Sequence, residues 1–144
     1  MAQGRTKVIL YNPKAVFYTM PLALIALASY LDKVKYDVEI IDGRLEKDPL
    51  RKIIDSCEGA ACFAVSVLTG APIKDALAMT IEVKKRFPEL NIVWGGWHPS
   101  LFPLETLKET PVDVVVRGQG EIAFEQILTA IINGKSFHGI AGVS

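Results

Sequence analysis

The sequence predicts a doubly wound α/β domain of three layers, with a five-stranded, mostly parallel sheet in the order 2-1-3-4-5. Three observations carry that expectation. Short β-rich runs alternate with longer helical patterns from end to end. The run Ala60 to Val67 is almost entirely apolar, as in a strand covered on both faces. A chain of 144 residues, 50% hydrophobic and 22% charged, is long enough for one substantial core.

Each element has its own signal. Lys7 to Tyr11 reads as the first strand, stopped by Asn12-Pro13. A connection from Asn12 to Met20 leads to Pro21, suited to the first turn of a helix running to about Val34. Asp37 to Asp42 alternates as a second strand and Gly43 breaks it. Asp48 caps a short helix from Pro49 to about Ser56. After the third strand, Pro72 to Phe87 carries Ile73, Ala76, Leu77, Ile81 and Val83 broadly at helical spacing. Asn91 to Trp94 is a fourth strand stopped by Gly95-Gly96, and a short helix covers Pro103 to Glu109. Val112 to Val116 is a fifth, buried strand, followed by a helix to about Ile132. Gly139 to Ser144 reads as the start of one more strand, which points to a longer parent protein.

Composition excludes several classes of function. Sixteen basic and sixteen acidic residues cancel, so no strong field draws nucleic acid or an anionic membrane. The cluster Lys84-Lys85-Arg86 complements the carboxyl end of its helix. No stretch approaches the roughly 20 apolar residues of a membrane-spanning helix, so no membrane insertion is expected. Cys57 and Cys62 read as core residues of a reducing compartment, and a cytoplasmic location is the expectation.

The residues that can do chemistry follow strand ends: Asn12-Pro13, Ser66 to Gly70, Gly95 to Ser100 and Arg117 to Glu121. In a sheet of this kind they gather along the carboxyl edge, where ligands bind. Each also has a plain structural reading. Gly95-Gly96 serves equally as a tight turn, Ser66 and Thr69 as local caps, Glu121 as a first-turn acid. His98 is a lone loop histidine, and Tyr11, Phe17, Trp94 and Trp97 read as core or rim packing. Gly118 to Ala123 fits G-x-G-x-x-A, but it follows the fifth strand and no acid lies about 20 residues onward to bind a ribose. Gly134-Lys135-Ser136 lacks the first glycine of a phosphate loop, since Thr129 stands there. A phosphoacceptor aspartate is absent at the end of the third strand, where Ser66-Val67 stands.

The proline-led first helix, Ile40-Ile41-Asp42-Gly43 and Ser66-Val67-Leu68-Thr69 form part of a larger pattern. Trp94-Gly95-Gly96-Trp97-His98-Pro99-Ser100 and Arg117-Gly118-Gln119-Gly120-Glu121 complete it. Together they resemble the amino-terminal cobalamin-binding domain of radical S-adenosylmethionine proteins, among them the anaerobic magnesium-protoporphyrin IX monomethyl ester cyclases. The resemblance spans residues 1–144 as a single domain of flavodoxin-like, Rossmann-like build. It implies a cobalamin module of a tetrapyrrole-related radical S-adenosylmethionine enzyme, with no catalytic residue of its own. The implied cofactor-binding residues are Asn12, Pro13, Ser66, Leu68, Thr69, Gly95, Gly96, Trp97, His98, Pro99, Gly118, Gly120 and Glu121. Relatives of the methionine synthase type use D-x-H-x-x-G to place a histidine beneath cobalt. Here Gly96 and Ser136 stand two residues before His98 and His138, so a base-off cobalamin without a protein histidine ligand is implied. The C-x-x-x-C-x-x-C of the iron–sulfur site is missing. The 4Fe-4S cluster and S-adenosylmethionine are therefore expected in a carboxyl-terminal domain of the parent, this domain's natural partner. Two other readings stay open: a cobalamin-free docking or substrate-shaping domain, and a nucleotide-binding domain using Gly118 to Ala123.

Overall fold

A computed structural model of the chain describes residues 4–16 and 20–144. Phe17 therefore lies outside the described residues. The elements run β1 (Thr6–Asn12), α1 (Leu22–Tyr30), β2 (Tyr36–Asp42), α2 (Pro49–Cys57), β3 (Cys62–Ser66) and α3 (Ala71–Arg86). They continue with β4 (Asn91–Gly95), α4 (Trp97–Leu101), α5 (Pro103–Glu109), β5 (Val114–Val115) and α6 (Glu121–Ile132). The sheet has the expected order β2-β1-β3-β4-β5, and all four pairings are parallel.

Side chains of the central strands alternate between two cores, as the two-residue period requires. Ile9, Tyr11, Phe63, Val65, Ile92 and Trp94 face Ile53 of α2 and Ala76 and Val83 of α3. Val8, Leu10, Cys62, Ala64 and Val93 face Leu24 of α1 and Phe124, Ile127 and Leu128 of α6. Cys57 and Cys62 belong to opposite cores and are both free. Burial pushes the Cys57 thiol up to about 12 and the Cys62 thiol well above its ordinary value. Both behave as small hydrophobes. Trp94 is fully in the core, where its Nε1 donates to Thr80 Oγ1 at 3.0 Å.

The departures from expectation have local causes. The first helix stops at Tyr30 rather than near Val34. The Asp32 carbonyl accepts from the N–H groups of Lys35 and Tyr36 and its carboxylate from that of Val34, a turn that competes with helix. Trp97 to Leu101 is a short helix where the sequence suggested a loop. Pro99 is tolerated there because N–H groups of a first turn have no helical acceptor. The fifth strand pairs only through Val114–Val115, since the Asp113 carboxylate takes the Ile92 N–H at 2.8 Å and also holds Lys84. The chain's last residues do add to the sheet, but antiparallel. Val115 and Ser144 exchange backbone hydrogen bonds of 2.8 and 2.9 Å, and Arg117 N donates to Gly142 O. Among the described residues no helix is long and apolar enough to cross a membrane.

Candidate functional site

The carboxyl ends of β3, β4 and β5 end in glycine-rich turns, and hydrogen bonds bind these turns to one another. Val67 N donates to Gly95 O at 2.8 Å, and His98 N donates to Val67 O at 3.1 Å. Gly96 makes that approach possible: its φ is +99°, and a Cβ on it would stand 2.9 Å from both Val67 N and Val67 O. Ser100 joins the next turn, donating from Oγ to Gly96 O at 2.6 Å and accepting from Gly118 N at 3.0 Å.

Beside these turns, between α1 and α6, lies a cavity of about 520 Å³. Its floor is Ala64 and Val93, its walls Leu24 and Leu27 of α1 with Val116 and Phe124. Polar groups collect at the mouth, from Ser66, Ser100, Gln119 and Glu121. Of the residues singled out in the sequence, Ser66, Gly95, Gly96, Trp97, Gly118, Gly120 and Glu121 line it together. Trp97 stands at the rim, 70% exposed.

The remaining candidates lie around rather than in the cavity. Leu68 and Thr69 are exposed beyond β3, and Pro99 is the buried residue of α4. His98 turns its ring toward Phe102, at 5.3 Å between centroids, and its buried Nδ1 has no hydrogen-bond partner. Among the described residues no group of three His, Cys, Asp or Glu is placed to hold a metal. Asn12 and Pro13 sit on the β2 side of the edge. Asn12 Nδ2 donates to Asp42 at 3.2 Å and Pro13 is buried.

Sequence reasoning missed a polar cluster at that end. Tyr11, fully buried along its ring, reaches Asp75 Oδ2 at 2.6 Å, and the same oxygen accepts Lys14 N at 2.9 Å. Burial, then the Asp75 hydrogen bond and charge, drive the Tyr11 hydroxyl far above its ordinary value, so it stays a proton donor. Asp42 takes a bidentate grip from Arg44, with Nη2 at 2.6 Å and Nε at 2.9 Å, and both side chains are more than nine-tenths buried. The guanidinium hydrogen bonds hold the Asp42 carboxyl below its ordinary value against the opposing effect of burial. A depressed carboxyl stabilises the fold above its unfolded pKa and loses that contribution as pH falls through the folded value. Asp42→Asn is therefore expected to cost roughly 3 kcal/mol at neutral pH. The gap to the wild type should narrow below about pH 4. Urea melts at both pH values check this, and an equal gap at both would contradict it.

A parallel sheet with a small-ligand cavity over its carboxyl edge, closed by glycine turns, defines a cofactor-binding α/β domain of the doubly wound class. The chain belongs to the B12 binding domain family, whose model matches residues 8–128. An uncharacterized methyltransferase of Pyrococcus horikoshii is 34% identical over 128 residues, covering 86% of this chain and 27% of that protein. The anaerobic magnesium-protoporphyrin IX monomethyl ester cyclase of Synechocystis is 26% identical over 130 residues, covering 86% of this chain and 26% of the relative. The fold matches the radical S-adenosylmethionine methyltransferase TsrM of Kitasatospora setae, a structure with cobalamin and a 4Fe-4S cluster bound. That match has a TM-score of 0.83 at 23% identity, over 97% of this chain and 27% of the other. The chain thus spans about a quarter of the length of these proteins.

Proposed function

We propose that the chain is the cobalamin-holding domain of a radical S-adenosylmethionine protein. The cavity between α1 and α6 carries this reading, because it joins a mostly apolar interior to a rim of close-packed glycine turns. Its volume of about 520 Å³ falls in the range of small-ligand clefts. The nucleotide tail would enter past Ser66 and Gly95–Gly96, with Leu68 and Thr69 bordering it and His98 and Pro99 holding the turn from behind. Gly118, Gly120 and Glu121 would close the far side through backbone N–H groups and one carboxylate. The loop from Asn12 to Met20, whose residues 17–19 lie outside the described residues, is expected from the family resemblance to lie toward the lower face of the corrin. When bound, cobalamin supplies a cobalt centre that can pass a methyl group or assist radical chemistry on a substrate. Held in the parent, that substrate, the 4Fe-4S cluster and S-adenosylmethionine would belong to a carboxyl-terminal domain, in the cytoplasm. The similarity to the cyclase supports a tetrapyrrole-related substrate.

A base-off cofactor fits the placement of both histidines. His98 lies outside the cavity lining against Phe102, and His138 is exposed in the last turn. A cobalamin-free docking role has one observation in its favour. Helix α1 is apolar on all sides, yet Leu22, Ile25 and Tyr30 are 67%, 37% and 47% exposed, as on a face awaiting a partner. Met20, at 72% exposure, does not fill the cavity as that role would ask.

Titration with hydroxocobalamin, then desalting, decides between them. Retained corrin is expected, and after reduction to cob(II)alamin its electron paramagnetic resonance should lack nitrogen splitting from a lower ligand. Loss of the corrin on desalting would favour docking. Nitrogen splitting would overturn the base-off form, and its loss in a His98→Ala variant would trace it to His98 rather than to the cofactor's own base.

A further inference from the structure

We propose that Asp75 is a positioning residue for the cofactor, pinning the backbone of Lys14 across the crevice between β1 and β3 so that the crevice stands ready for a ligand. The inference rests on the cobalamin reading above and concerns a part of the sheet edge away from the cavity lining.

The strand order 2-1-3-4-5 makes the ends of β1 and β3 the place where neighbouring connections part. After β1 the chain runs to α1, which packs with α6 on one face. After β3 it runs to α3, which packs with α2 on the other. A crevice opens there, and the β1–β3 pairing stops below it at Tyr11 and Val65. In this chain a carboxylate ties the two sides together. Asp75, near the start of α3, accepts Lys14 N at 2.9 Å and the Tyr11 hydroxyl at 2.6 Å, both on Oδ2.

Tyr11 gives that oxygen a fixed address. Its ring is wholly buried and stacks against Phe63, with 6.2 Å between centroids. Its hydroxyl occupies the place that a Cβ on Gly43 would take, so the turn after β2 must be bare there. Tyr11 belongs to the core beneath α2 and α3. The clamp therefore closes the crevice toward α3 and leaves it open toward α1, where Ala23, Leu24, Ala64 and Ser66 line the cavity.

Without the Lys14 bond, the chain leaving β1 must be ordered when a ligand arrives. Re-ordering a single backbone residue costs about a tenfold loss of affinity. Because both bonds fall on one oxygen, the clamp needs an acceptor and no charge, and the amide oxygen of asparagine serves as well.

The test measures hydroxocobalamin binding to the intact chain by equilibrium dialysis, stability by urea melts, and hydrogen exchange of the Lys14 amide without ligand. Asp75→Ala is expected to bind about tenfold more weakly and to lose protection at Lys14, and Asp75→Asn to restore both. Tyr11→Phe is the contrast. Loss of its buried hydroxyl should lower the urea midpoint, but the Lys14 bond survives and affinity should stay within about threefold of the wild type. Undiminished affinity in Asp75→Ala would overturn the proposal while leaving the cobalamin reading standing. Tyr11→Phe as impaired in binding as Asp75→Ala would make affinity follow stability alone and overturn it too. So would Asp75→Asn binding no better than Asp75→Ala. Free exchange at Lys14 in the wild type would overturn it even if Asp75→Ala did not fold. A wild type that retains no corrin would remove the cobalamin reading, and this role with it.

Discussion

Replacing Gly95 with Leu is expected to leave the chain folded and to weaken hydroxocobalamin binding at least about a hundredfold. Gly95 follows Val93 by two residues on β4, so its missing side chain would point to the same side of the sheet, into the cavity. A Cβ there meets only Val116 O at 3.8 Å and Val116 Cβ at 3.9 Å, ordinary contact distances that need no backbone shift. The remaining carbons of a leucine would occupy the space intended for the nucleotide. Excluding a bicyclic base from apolar cover forfeits about 3 kcal/mol or more. Equilibrium dialysis measures the binding, and a urea melt shows that the fold survived. Undiminished affinity in a folded Gly95→Leu protein would mean that the cofactor does not use this cavity.

The adjacent glycine should behave in the opposite way. Gly96→Ala is expected to destabilise the chain by about 3 kcal/mol or more, with or without ligand. Its φ of +99° and ψ of −171° belong to a region open essentially to glycine alone. The added carbon would also press on Val67 N and O at 2.9 Å, atoms already bonded to Gly95 O and His98 N. Relieving that contact means parting β3 from the turn after β4. Gly118→Ala is the control: its φ is +72°, but a Cβ there meets nothing within 4 Å. Strain alone should cost it about 1 kcal/mol. Similar urea midpoints for the two variants would show that the close approach at Gly96 contributes nothing.

Much of this was legible in the residues. The apolar run through Ala60 to Val67 and the alternation of strand and helix led to the observed strand order, because period and burial act locally on a parallel sheet. The glycine pairs after β4 and β5 were legible for a similar reason, since few residues other than glycine suit such turns. What escaped depended on contacts distant in sequence. The Tyr11–Asp75 bond joins residues 64 positions apart, and nothing near either one announces the other. The residues left Tyr11 and Trp94 between core and rim packing, and strand alternation turns both into the core beneath α2 and α3. The cavity walls on α1 are Ala23, Leu24 and Leu27, ordinary helix residues that packing alone makes part of a site. The short helix α4 was hidden by Pro99, which discourages helix in the residue before it.

The antiparallel return of residues 142–144 along β5 gives the molecule an order in time. Synthesis releases β1, β2 and β3 first, and these can pair while later residues are still being added. The outer edge of β5 stays open until residues 142–144 follow and Ser144 bonds Val115. Until then a growing chain presents an open strand edge, the kind of surface on which neighbouring nascent chains join. Residues 142–144 thus shield in the folded domain an edge that the growing chain exposes first.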